Sequence, residues 1–318
     1  SNAITSVAAS VTGSFSLSDA DGYTVDLVGG TTGITVTGAT NTVTLDAAGG
    51  NITLAEGITT NAGDITVSRP AVISGTVTVS TIAGVAGNIQ FDLVINDTLA
   101  GTNGLTLTAG TGTITLLGAV GGTRLASLVC NSTNAAADAI DILGVATTGA
   151  QTYNGNVTTT GVVTLSSSTS GGIAINGAAA FGGNVTVNAT AADIQITGTT
   201  AFSGTAAFTT TTSGAITLGD AITLGGTATF TTAGGGAISL AAVTGSGFTL
   251  ALAGSGADTI ASANLNTTGT LNLTGKTGGS VTVSGNLTTG TLSTAAQNYG
   301  ILLIGGGSVA NNTTFSNT

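Results

Sequence analysis

Histidine, methionine and tryptophan are missing from the 318 residues, and cysteine and proline occur once each, as Cys130 and Pro70. With no imidazole and a single thiol, zinc fingers, His-dependent hydrolases and disulfide scaffolds are excluded. The basic side chains are Arg69, Arg124 and Lys276, too few to neutralise a run of phosphates, so nucleic acid is excluded as a partner. Charged residues make up 5% of the chain, against about 25% in an ordinary domain. The longest purely aliphatic stretch is Ile301-Leu302-Leu303-Ile304, far short of the roughly 18 residues of a spanning helix, so this segment is not expected to cross a membrane.

What is present is 52 glycines and a hydrophobic fraction of 41%. That is enough to bury a core of Val, Ile, Leu, Ala and a few Phe, and too much for a disordered tail. The net charge of −10 favours solubility and disfavours anionic partners. Ser1-Asn2-Ala3 has the look of a remnant left by tag cleavage and is set apart from the fold.

The organising signal is a period. From Asn154 the chain divides into lines that close at Ile175, Ile196, Leu218 and Leu240, about 22 residues apart. One column holds Phe181, Phe202 and Leu224, and another, two residues on, holds Gly161, Gly183, Gly204 and Gly226. The next strand presents Val163/Leu165, Val185/Val187, Ala206/Phe208 and Ala228/Phe230; the last presents Ile173/Ile175, Ile194/Ile196, Ile216/Leu218 and Ile238/Leu240. Within each strand apolar residues alternate with Thr, Ala, Gln or Ser. Period 2 nested in a period near 22 means short strands with one face buried. The glycine column is expected at corners that need positive φ or close backbone approach. The pattern predicts an all-β fold, a single-stranded right-handed parallel β-helix whose large residues stack on their own kind from coil to coil.

The pattern continues to Ile304, and upstream through Val43/Leu45 and Ile65/Val67, with the spacing stretched at Phe91, Leu116 and Ile142. About 12 coils are expected. Residues 4–23 read as an irregular capping segment, 24–304 as the solenoid, and 305–318 as a tail or the start of a further coil. Two stretches break the rhythm, 118–139 and 143–153, and are expected to protrude or to alter the coil.

The segment Thr147–Ser170, TTGAQTYNGNVTTTGVVTLSSSTS, resembles a repeat of filamentous-haemagglutinin-like exoproteins and related type V-secreted surface proteins. Ala296-Gln297-Asn298-Tyr299-Gly300 echoes its Gln-x-Tyr-x-Gly core with one residue fewer. The close match covers about 25 residues, from Thr147 to Ser170. The resemblance implies a β-helical stalk of a two-partner or autotransporter-type adhesin at the bacterial surface. The Asn-Pro-Asn motif of the two-partner secretion domain is missing, since Pro70 follows Arg69, so the chain matches an interior or passenger segment.

Catalysis finds little material. Glycoside hydrolysis needs two carboxylates about 5–9.5 Å apart, and Asp141 alternates with Ile140 and Ile142 as an outward residue would. A polysaccharide-degrading enzyme is the least favoured reading, and no enzyme and no cofactor are expected. Asp19-Ala20-Asp21-Gly22, with Asp26 beyond, has the flavour of a calcium loop but lacks its closing Glu, leaving Asp19, Asp21 and Asp26 as weak metal candidates. Cys130 reads as a buried small hydrophobe. Thr164, Thr186 and Thr229 fall in one outward column interrupted by Ala207, which admits an ice- or surface-binding solenoid as the alternative. The expected function is a stalk in a secreted or surface-exposed bacterial adhesin-like protein. Its partners would be a host-cell or matrix receptor or a glycan, or other copies of itself, engaged by many weak contacts.

Overall fold

The computed structural model describes residues 4–82 and 84–318; the proposed tag remnant, residues 1–3, lies outside them. Among the described residues every regular element is a strand. The chain divides into two compact units, Ser1–Thr158 and Thr159–Thr318. Each is a parallel β-solenoid in which every turn lays one strand segment on each of three faces.

The parallel coils expected from the period are present, at about 14 turns where about 12 were expected. The difference lies at the ends. Residues 4–23, expected as an irregular cap, carry Ser6–Val7, Ala9–Val11 and Phe15–Asp19, which pair in parallel with Tyr23–Val25, Ile34–Ala39 and Val43–Ala47. At the other end Gly307–Val309 pairs with Leu287–Thr289, so the coils continue into 305–318.

In the first unit, Val43–Ala47, Ile65–Val67, Ile89–Phe91, Ile114–Leu116 and Ile140–Ile142 stack in register. The partners Val67, Phe91, Leu116 and Ile142 are spaced by 24, 25 and 26 residues (91 − 67, 116 − 91, 142 − 116). The extra residues go into corners and leave the apolar columns aligned, because a one-residue slip would turn each buried side chain outward. A larger addition follows Tyr23–Val25, where Leu27–Val28 and Thr31–Thr32 form an antiparallel hairpin. Its turn is Gly29-Gly30, both at positive φ (59° and 88°), the conformation such tight hairpins require.

The stretches 118–139 and 143–153, expected to protrude or to alter the coil, stay mostly within the ladder and alter it locally. Ser127–Asn131 pairs with Gly104–Thr108, Gln151–Asn154 pairs with Ser127–Asn131, and Val145–Thr147 pairs with Val120–Leu125 across a register shift between Val120 and Leu125. The segment that departs from the ladder is 132–139, with Ala135–Asp138 exposed.

The second unit is more regular. Val163–Ser167, Val185–Ala189, Ala206–Thr210 and Ala228–Thr232 pair residue for residue through four turns. Ile173/Ile175, Ile194/Ile196, Ile216/Leu218 and Ile238/Leu240 form a second ladder, and Phe181, Phe202 and Leu224 lie on the third face. All fifteen apolar strand positions from Phe181 to Leu240 that the period singles out are at most 3% exposed. Phe181 and Phe202 on one face meet Phe208 from another, and Phe230 packs on Phe208 along that second face. Phe202 and Phe208 are edge-on at 5.6 Å, and Phe208 and Phe230 are tilted at 5.3 Å, separations typical of favourable aromatic pairs.

Three of the four column glycines, Gly183, Gly204 and Gly226, follow one of the two expected causes, and Gly161 follows neither. None of Gly161, Gly183, Gly204 and Gly226 has positive φ. A Cβ on Gly183 or Gly226 would instead stand 2.5 Å from the carbonyl oxygen of Gly161 or Gly204, one turn away. Close approach of successive corners therefore selects glycine there.

Candidate functional site

The acidic residues with calcium-loop spacing do not converge. Asp19 Oδ1 accepts from the Asp21 amide at 2.9 Å and its Oδ2 from the Ile4 amide at 3.4 Å, and Asp26 Oδ1 accepts from the Leu27 amide at 2.8 Å. Among the described residues no group of three or more His, Cys, Asp or Glu side chains is placed to hold a metal. Asp46, one turn from Ser18, accepts from Arg69 Nε at 2.7 Å and from Ser18 Oγ at 3.1 Å. The Arg69 hydrogen bond holds its carboxyl below the ordinary value. The nearby Tyr23 hydroxyl is buried without a hydrogen-bond partner, and burial, then Asp46 and Asp19, push its ionisation upward.

Asp97 organises a loop. Its carboxylate accepts from the amides of Leu99, Thr102 and Asn103 and from the Asn103 side chain at 2.6–3.3 Å. Burial pushes its pKa up, but the Asn103 amide and side chain, with Leu99 and Thr102, outweigh that and hold it below the usual carboxylate range. Asp141 points outward between Ile140 and Ile142, and its pKa is raised by partial burial and then by Asp138.

The Gln-x-Tyr pair of the resemblance faces inward. Gln151 and Tyr153 are both buried, the Tyr153 hydroxyl donating to Gln151 Oε1 at 3.0 Å and Gln151 Nε2 donating to the Val145 carbonyl at 3.2 Å. Tyr153 is also the register partner of buried Cys130, whose thiol is pushed upward by desolvation, away from nucleophilic chemistry. In the echo at 296–300, Tyr299 is buried but Gln297 is exposed.

Three further features stand out. First, a set of hydroxyls points inward and closes corners: Thr60 on the Gly63 carbonyl at 2.5 Å, Ser132 on Gly112 at 2.7 Å, Thr210 on Gly214 at 2.6 Å and Thr232 on Gly236 at 2.7 Å. Second, the outward column Thr164, Thr186, Ala207, Thr229, Ala251 has a companion, Ser166, Asn188, Thr209, Thr231, Ala253, two residues along the same strands. Third, Lys276 is fully buried, with Nζ 2.7 Å from Asp258 Oδ2 and 2.8 Å from the Gly256 carbonyl oxygen. Asp258 Oδ1 accepts from the Ile238 amide at 3.0 Å. Burial raises the Asp258 pKa, and the Lys276 hydrogen bond opposes that rise.

Charge is unevenly distributed. Beyond Thr158 the charged residues are Asp193, Asp220, Asp258 and Lys276, and the last two pair with each other in the core. No helix among the described residues is long and apolar enough to cross a membrane. Compared with family models, with curated proteins and with solved structures, the chain matches none.

Proposed function

We propose that the chain is a stalk segment of a secreted or surface-exposed bacterial protein of the filamentous-haemagglutinin-like or autotransporter kind, acting by presentation and repeated weak attachment rather than by catalysis. The observation that carries this reading is the residue-for-residue pairing of successive turns from Val163–Ser167 to Ala228–Thr232. A load carried along such a ladder is shared among many hydrogen bonds, and no turn has to hold it alone. The resemblance at Thr147–Ser170 supports the surface-protein assignment. Receptors, matrix proteins, glycans or further copies of the chain would be engaged by the same outward features repeated turn after turn, so that avidity replaces a single strong site. Stretching single molecules tests this. A load-bearing solenoid yields in steps that each release about one turn, roughly 70–80 Å of chain at about 3.3–3.6 Å per residue. Featureless extension at low force would exclude the stalk.

A second reading rests on the paired outward columns. Thr229-Phe230-Thr231 presents two hydroxyls on one face, and uncharged Thr, Ser, Asn and Ala continue both columns through five turns. Such a surface could order water against ice or a mineral. Inhibition of ice recrystallisation by the protein, lost on Thr229→Lys, would favour it over the stalk.

A further inference from the structure

The single lysine of the chain lies in the core of the second unit with its amine on a carboxylate. Lys276 ends the strand Thr270–Lys276 on one face, and Asp258 lies in Ala257–Asn264 on another; both side chains are 0% exposed. Asp258 takes a place in an aliphatic column, with Val281 as its register partner on one side and the Ile238 amide on the other. The chain does place an ion pair at the surface, Arg69–Asp46, where the side chains stay 36% and 32% exposed and keep much of their hydration. Burying two charges instead is expensive, and a pair held this way is commonly no more stable than an apolar replacement. Lysine also differs from arginine in that its neutral amine is a nucleophile and its proton is readily lost in apolar surroundings.

We propose that Lys276 and Asp258 condense, Nζ to Cγ, into an intramolecular isopeptide bond. Burial raises the Asp258 pKa, and a proton passed from Nζ to Oδ2 along the 2.7 Å hydrogen bond leaves an amine facing a carboxylic acid. The nitrogen lone pair attacks Cγ. Negative charge develops on Oδ1, which already faces the Ile238 N–H at 3.0 Å, a donor in the position of an oxyanion stabiliser. The C–N bond forms, a second proton moves from nitrogen to Oδ2, the Cγ–Oδ2 bond breaks, and one water leaves. No oxidant or co-reactant is needed, and fixed proximity in the folded chain replaces activation from outside.

The product fits the site better than the reactants. The amide keeps one N–H for the Gly256 carbonyl, now 2.8 Å from Nζ, and one oxygen for the Ile238 amide. Both charges vanish and neither polar group loses its partner. The link joins residues 18 apart in sequence and ties Asp258 to the following turn, where Lys276 is the register partner of Gly254.

Mass spectrometry of the full chain, folded and then denatured, tests this. The expected mass is one water below that of the sequence. Because Arg69 is followed by Pro70, trypsin cuts the denatured chain after Arg124 and Lys276 only. A linked Lys276 blocks the second cut, giving one fragment from Leu125 to Thr318 that carries the deficit. Lys276→Arg is expected to restore the full sequence mass and the cut at 276. A wild-type chain of full sequence mass that is cut after Lys276 would overturn the proposal. So would a missing water confined to the fragment before Leu125, which would report succinimide formation at Asp21-Gly22. Both readings come from the wild-type chain and stand even if the variant fails to fold.

Discussion

Phe181 lies flat against Phe202, ring centroids 5.6 Å apart and planes within 10° of parallel, because the two are register partners one turn apart. The same relationship recurs along the ladders, as where Ile194 pairs with Ile216 and Ile216 with Ile238.

Substitutions at neighbouring positions of one ladder should therefore differ sharply. Phe208 is 1% exposed and touches Phe181, Phe202 and Phe230, whereas Thr186 stands on the outward side of the same face. Phe208→Ala should cost about 3–5 kcal/mol, and Phe208→Asp should prevent folding by leaving a charge unpaired in the core. Thr186→Asp should stay within about 0.5 kcal/mol of wild type. Denaturant unfolding of the three variants separates them, and equal losses at both positions would invert the inward and outward assignment.

The glycine column offers a comparison at constant chemistry. Alanine at Gly226 would bring Cβ to 2.5 Å from the Gly204 oxygen, while Gly161 has nothing within 4 Å. Gly226→Ala should destabilise by about 1–3 kcal/mol. Gly161→Ala should be neutral, or stabilising by about 0.4–1 kcal/mol through the unfolded chain. Melting curves of the two variants should shift in different directions or by clearly different amounts.

Thr232 tests the inward hydroxyls. Its Oγ1 donates to the Gly236 carbonyl at 2.7 Å in the buried interior. Thr232→Val keeps the shape, removes the donor, and should cost about 1–3 kcal/mol, the penalty for a buried group left unpaired. Thr231→Val, one residue away on the outward face, should cost far less. A Thr232 variant as stable as wild type would show that the corner does not need this bond.

Acid should act through Asp97. Its folded-state pKa lies below the ordinary value, so the folded chain binds its proton less readily than the unfolded chain does. The stabilisation is complete above about pH 4 and is lost as pH falls through the folded-state value. Asp97→Asn should lower stability at neutral pH and reduce its loss as pH falls below about 4. An unchanged acid profile in the variant would mean the loop around Asp97 does not contribute.

Much of this architecture is legible in the sequence because the second unit repeats at 21–22 residues with hardly a gap, and Ile194, Ile216 and Ile238 fall in one column on sight. The stretches 118–139 and 143–153 are harder to read. A register shift between Val120 and Leu125 breaks the alternation, and the inward Gln151 and Tyr153 are polar where the pattern elsewhere is aliphatic. Inward threonines are hidden for a related reason: Thr is also the commonest outward strand residue here, and its composition is the same whether it caps a corner or meets solvent. A lone lysine gives no sequence sign of burial. Only its place opposite Asp258 on another face reveals the pairing.

The distribution of charge has a further consequence. Beyond Thr158, Asp193 and Asp220 are the exposed ionisable side chains, so the outer surface of that unit has almost nothing for protons or dissolved ions to act upon. Its contact with water runs through hydroxyls and amides, whose hydration changes little between dilute buffer and brine or between mildly acidic and mildly alkaline media. Such a surface would drift slowly in an electric field and bind ion-exchange matrices weakly. It would also hold its neighbours at a distance set by hydration rather than by repulsion, so crowded copies could lie close without a counterion between them.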